Sequence, residues 1–241
     1  MSQRMNSTLK DILRGLIHSL DDNSRENAWK WICGHGQDIV DFPNEPVPDI
    51  IHGIVDKPSE ANIGLLIESV WTGLVDNDRK ALGSVYTKMD VVVKLLDMID
   101  YTGKEKGILI DPACGAGAFL IKAAERRFWN SRIRNVNERV KDVLQCIVGV
   151  DISTQPGKIC RTMLRGLIIH WVAQKKQIKK LDFAVLENCH PIILKKNSWK
   201  DDIRSEIQNR SPDLEIKWVV GNPPYVERKL WTKYQISRDE M

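Results

Sequence analysis

The sequence predicts an α/β fold: a parallel sheet of about four strands, preceded by a small all-helical unit. Three observations carry this. Before residue 83 the apolar residues recur only at helical spacing. After Gly83, short apolar runs of strand length alternate with helical periods. Two of those runs end in an acid, Asp111 and Asp151, and the first is followed at once by a glycine-rich turn. Strands separated by helices imply parallel pairing through right-handed crossovers.

The elements follow in order. Leu9, Ile12, Leu13, Leu16, Ile17 and Leu20 make residues 7–20 an amphipathic helix. Asp21-Asp22-Asn23-Ser24 ends it and offers an N-cap for a second helix through Trp29 and Trp31, closed near Gly34 or Gly36. Pro43, Pro46 and Pro48 mark a stiff connection, and Ile63, Leu65, Leu66, Val70 and Leu74 place a third helix over 61–75. Residues 1–82 therefore form the helical unit, and residues 83–241 the α/β part. There, helices are expected at 89–100, 117–135, 137–145, 154–174 and 200–208. Strands are expected at 107–110, 146–150, 192–194 and 218–221, the last read as buried from its run Trp218-Val219-Val220-Gly221.

Two turns carry the chemistry. Asp111-Pro112-Ala113-Cys114-Gly115-Ala116-Gly117 joins the first strand to its helix. Gly115 and Gly117 allow a tight turn and close backbone approach by a ligand. Asp151 ends the next strand, placed to accept hydrogen bonds from ribose hydroxyls. No third glycine follows, because Leu120 stands there, and no Lys-Ser/Thr follows either, so neither the dinucleotide fingerprint nor a phosphate-cradling loop is present. An acid directly before the turn would repel a pyrophosphate but attract a ligand bearing a sulfonium or an ammonium. The second turn is Asn222-Pro223-Pro224-Tyr225, at the end of the fourth strand. Consecutive prolines fix φ twice and remove two backbone donors. What remains is a rigid turn with one amide side chain, carbonyls that no ladder uses and one aromatic ring. That set suits a planar group carrying an NH2.

Composition excludes several classes. A net charge of +4 is mildly basic, compatible with a polyanionic partner without requiring one. The five cysteines form no C-x-x-C pair and, with the histidines, show no zinc-like spacing, so no metal is expected. An odd, scattered set suggests reduced thiols. No signal core and no membrane-length apolar run is present, which points to the cytoplasm and away from a membrane.

Together these residues resemble the N6-adenine DNA methyltransferases of type I and type IIG restriction-modification systems. Asp111 to Leu120 matches motif I of that family (D-P-A-C-G-[SA]-G-x-F-L), Gly149-Val150-Asp151 its motif II, and Asn222 to Tyr225 its motif IV. Leu82-Gly83-Ser84-Val85-Tyr86-Thr87 resembles motif X, and the likeness runs from about residue 62 to about 230. The resemblance implies a Rossmann-like, S-adenosylmethionine-dependent methyltransferase fold. It implies transfer of a methyl group from S-adenosylmethionine to adenine N6 in double-stranded DNA, with the target base flipped out. Asn222 and the Pro223 carbonyl would accept hydrogen bonds from N6, with Pro224 stiffening the turn and Tyr225 stacking on the base. Asp111, Ala113, Gly115 and Gly117 would hold the methionine portion, Asp151 the ribose, Asn197 the adenine, and Tyr86 and Thr87 would close over the cofactor.

Three departures stand out. Lys88 occupies the place of a proline after Tyr86-Thr87. Motif III is represented by Lys196-Asn197-Ser198-Trp199, with Asp182-Phe183 competing. The family also continues past motif IV with further strands and a target-recognition region, whereas this chain ends at Met241. The resemblance then implies a catalytic part cut short after motif IV, with the fourth strand at a sheet edge. Either a second polypeptide completes the sheet, or the sequence is a piece or gene remnant. RNA guanine-N2 and protein glutamine-N5 methyltransferases use a similar turn and stay open as alternatives, as does a non-catalytic subunit acting through partner binding. Pro212-Asp213 with Glu215-Ile216-Lys217 superficially matches a nuclease pattern, but the two parts are too close together to occupy two strands.

Overall fold

The computed structural model describes residues 3–34 and 87–223. The helix expected over 61–75, the Pro43–Pro48 connection, the boundary at residues 82–83, Tyr86, Pro224 and Tyr225 lie outside them.

Two helices open the chain. Helix α1 is Gln3–Ile17 and α2 is Asp22–Ile32. Asp21 caps α2 by accepting from the Ser24 N–H at 2.9 Å, and Gly34 beyond its end has φ +58°. The remaining elements are α3 (Met89–Met98), β1 (Ile108–Asp111), α4 (Ala118–Asn130), α5 (Val136–Cys146) and β2 (Ile147–Asp151). They continue with α6 (Thr154–Gln174), α7 (Phe183–Leu186), β3 (Ile192–Lys195), α8 (Ile203–Arg210) and β4 (Ile216–Val219).

The four strands pair in parallel in the order β3-β2-β1-β4. The register sets Asp111 beside Gly149 and Ile110 beside Val219. The two central strands, β1 and β2, thus end side by side, and β4 runs along β1 on its other flank. Alternate strand residues feed opposite faces. Leu109, Ile147 and Val220 join the larger core with α1 to α7. Ile108, Ile110, Val148, Val150 and Leu194 meet Ile203 and Ile207 of α8 in a smaller one.

Helix α6 is buried on nearly every side, because it lies between the sheet and the opening helices. Ile159, Cys160, Ile168 and Val172 are fully covered. Its polar side chains find carbonyl partners across that interface: Arg165 Nη1 donates to Ile32 O at 3.2 Å, and His170 Nδ1 lies 3.3 Å from Leu16 O. Trp31 Nε1 donates to Leu186 O at 3.0 Å. The described part of the helical unit therefore shares one core with the α/β part.

Two expectations need correction. The fourth strand is not buried throughout: Val219 is 63% exposed, because β4 is the edge strand among the described residues. Helix α4 ends at Asn130 rather than 135, because Ser131 is extended and its Oγ accepts the Ile133 N–H at 3.2 Å, a side-chain turn that competes with the next helical bond. Among the described residues no helix is long and apolar enough to cross a membrane.

Candidate active site

The carboxyl ends of β1, β2 and β4 bring three sequence signals to one edge. Asp111, the last residue of β1, is 1% exposed. Its Oδ1 accepts the Ala113 N–H at 2.9 Å, which fixes the start of the glycine turn. No cation pairs with this carboxylate among the described residues. Burial pushes its pKa up to about 7, against the pull of the Ala113 bond and with a further push from the Asp151 charge.

Asp151 does more than the sequence suggested. Its Oδ2 accepts the Gly115 N–H at 3.0 Å and its Oδ1 the Ser153 N–H at 2.7 Å. The carboxylate thus clamps the glycine turn from the neighbouring strand while keeping lone pairs for a ligand. Burial raises its pKa, and these two bonds oppose the rise. The turn is fixed further by Cys114 N donating to Val150 O at 2.9 Å and Gly117 N to Cys114 O at 2.8 Å.

Gly115 and Gly117 have φ +52° and +94°, in the left-handed region that favours glycine. The reason differs in part from the expected one. A Cβ on Gly117 would overlap the Cys160 Sγ of α6, so this glycine is required by packing against the protein.

The Asn222 turn reaches the same place. Val220 N donates to Ile110 O at 3.0 Å, carrying the β1–β4 ladder one residue past β4. Gly221 then lies directly on Asp111: a Cβ there would overlap the carboxylate Oδ1. Asn222 follows, half-buried, and its Nδ2 donates to Thr87 Oγ1 at 3.1 Å across 135 positions of sequence. Pro223 is exposed.

Asn197 stands on the same edge beyond β3, where Lys196 N donates to Asp151 O at 3.1 Å. Its side-chain oxygen accepts the Trp199 N–H at 3.0 Å and its own N–H donates to Asp201 Oδ2 at 2.7 Å, so it shapes a turn. Asp182 is spent as the N-cap of α7, accepting from Ala184 N and Val185 N at 3.0 and 3.4 Å.

The structure therefore pairs Asp111 with Ala113, Asp151 with Gly115 and Asn222 with Thr87 by direct hydrogen bonds, and Gly221 rests on Asp111. Sequence reasoning missed Gly221, Cys160 and the pairing of Thr87 with Asn222. Gly221 was visible before Asn222-Pro223 in the sequence, but what it lies against was not. Ile152, 59% exposed beside Asp151, also presents apolar surface at this edge. Among the described residues no three His, Cys, Asp or Glu side chains are grouped to hold a metal ion.

The N-6 DNA methylase family profile matches residues 61–241, more than half of the chain. The chain is similar to the type II methyltransferase M.BstVI of Geobacillus stearothermophilus, at 30% identity over 154 residues, covering 61% of this chain and 25% of that protein. The chain thus spans about a quarter of that relative's length. The fold is similar to that of the type IIL restriction-modification enzyme MmeI, solved in complex with DNA, with a TM-score of 0.51 and 15% identity over 98% of this chain and 42% of that one.

Proposed function

The chain belongs to the N-6 DNA methylase family, and from that premise we propose that it is the cofactor-holding and amine-gripping part of a cytoplasmic, restriction-modification DNA methyltransferase that moves a methyl group from S-adenosylmethionine to adenine N6. The observation that carries the reading is the contact between the two turns. Gly221, next to Asn222 in the chain, lies on Asp111 and Pro112 where the glycine turn begins, so a methyl donor at that turn would face an amine held at Asn222.

The residues suit S-adenosylmethionine. Asp111 is a buried carboxylate with no cationic partner among the described residues, and a ligand ammonium or sulfonium nearby would favour its charged form. Asp151 keeps the glycine turn in place and retains acceptor capacity for ribose hydroxyls. Exposed Ile152 would lie against the adenine, and Asn197 and Tyr86 would complete the contacts. When bound, this cofactor supplies an electrophilic methyl group.

The chain's own task is to prepare the nucleophile. The exocyclic amine of adenine is weak because its lone pair is delocalised into the ring. Hydrogen bonds from N6 to Asn222 Oδ1 and the Pro223 carbonyl localise that lone pair and stabilise the positive charge developing on nitrogen. Asn cannot act as a base, and none is needed at this step. The base reaches the site by leaving the duplex, and Tyr225 stacks on it, an interaction worth about 1–3 kcal/mol. Further strands would pair with the β4 side of the sheet, which is the edge beyond β1 among the described residues.

The test is transfer of a labelled methyl group to unmethylated DNA, with RNA as a parallel substrate. Asn222→Ala abolishes transfer, while S-adenosylhomocysteine binding by calorimetry stays within about threefold, under 1 kcal/mol. Loss of cofactor binding in that variant, or methylation of RNA alone, sinks the proposal.

A further inference from the structure

The geometry points to Thr87 as the residue that sets the orientation of the Asn222 carboxamide, a positioning role that rests on the methyl-transfer reading above. Both partners of the 3.1 Å bond are held firmly. Thr87 sits two residues before α3, whose Met89, Val92 and Leu96 are buried in the larger core. The helix is tied down again where Arg126 Nη2 donates to Val93 O at 3.3 Å. On the other side, Asn222 follows the β1–β4 ladder and the Gly221 contact with Asp111.

A carboxamide presents two unlike ends, an oxygen that only accepts and an NH2 that only donates. The target amine needs the oxygen. With Thr87 Oγ1 accepting from Nδ2, the Asn222 oxygen is left for N6, and no other group among the described residues takes it. The flipped carboxamide would put one NH2 against another, with the hydroxyl donating to Oδ1 instead. Proline at 223 fixes the backbone but not the side-chain torsion that decides between these arrangements. Thr87 holds the plane of the carboxamide from a distant part of the chain, and the approaching amine, which needs the oxygen, then selects the arrangement observed. Its hydroxyl thus acts on the amine-accepting side of the site, through Asn222, which leaves the methyl group, kept in valine, to cover the cofactor.

The experiment compares Thr87→Val, which keeps the shape and removes the hydroxyl, with Thr87→Ser, which keeps the hydroxyl, in the active enzyme on unmethylated DNA. The expected result is a kcat about tenfold lower for Thr87→Val, equivalent to about 1.4 kcal/mol. KM for the cofactor and S-adenosylhomocysteine binding should stay within about twofold, and Thr87→Ser should recover most of the rate. Weakened cofactor binding with kcat spared overturns the inference, as does a wild-type rate in Thr87→Val. A wild-type enzyme that transfers no methyl group overturns the functional reading and this inference with it. A readout independent of turnover is the Asn222 side-chain NH2 resonance, assigned by its loss in Asn222→Asp. In the wild-type protein it should show a nuclear Overhauser contact to the Thr87 methyl group, and absence of that contact overturns the inference even if Thr87→Val fails to fold.

Discussion

Asp111 is unfavourable for the fold and, on the proposed function, useful to the site. Its carboxyl is buried and titrates near 7, well above its ordinary value of 3.8. Between those values the folded protein holds a proton that the unfolded chain has released. Stability therefore falls as pH rises from about 4 to about 7 and is level beyond, at a cost of up to roughly 4 kcal/mol. Asp111→Asn keeps the acceptor for Ala113 and removes the charge. It should raise the melting temperature at pH 8 by several degrees, measured by calorimetry, while abolishing S-adenosylhomocysteine binding. In the wild type, that binding should weaken as pH falls below about 7, because the neutral carboxyl no longer attracts the ligand ammonium; a flat profile from pH 8 to 6 would count against the assignment. The acid and its place at a strand end were legible in the sequence. Its contact with Gly221 was not, because 110 positions separate them and only the β1–β4 register brings them together.

At the scale of elements, periodicity located most helices and strands to within a few residues, and the misses have local causes. Helix α4 stops early because the Ser131 side chain bonds the chain just ahead of it. The fourth strand looks buried as a string of apolar residues, yet at the sheet edge among the described residues its side chains alternate between half-buried and exposed. The glycine turn also joins elements. Gly117→Ala would force a β-carbon into the Cys160 sulfur in a left-handed conformation. It should destabilise the protein by about 1–3 kcal/mol in urea denaturation. Cys160→Ala in the same chain should recover part of that loss, the part due to overlap, whereas the part due to φ should remain. Equal stability of Gly117→Ala and wild type would show that the turn relaxes freely.

For the whole molecule, α1 and α2 are part of the main core. Leu13 is fully buried, and its Cδ2 lies 2.6 Å from where a Cβ on Gly166 of α6 would be. Leu13→Ala should lower the unfolding free energy by about 2–5 kcal/mol in one cooperative transition seen by all probes. A separate early transition confined to the opening helices would contradict the shared core. The sequence by itself determined the α/β class, the two strand-end acids and the glycine turn, because period and glycine act through local sterics. Only the tertiary structure decided that β4 lies beside β1, that Gly221 rests on Asp111, and that Thr87 grips Asn222. Those contacts depend on strand order and register, which packing of the whole sheet selects and short-range preferences do not encode.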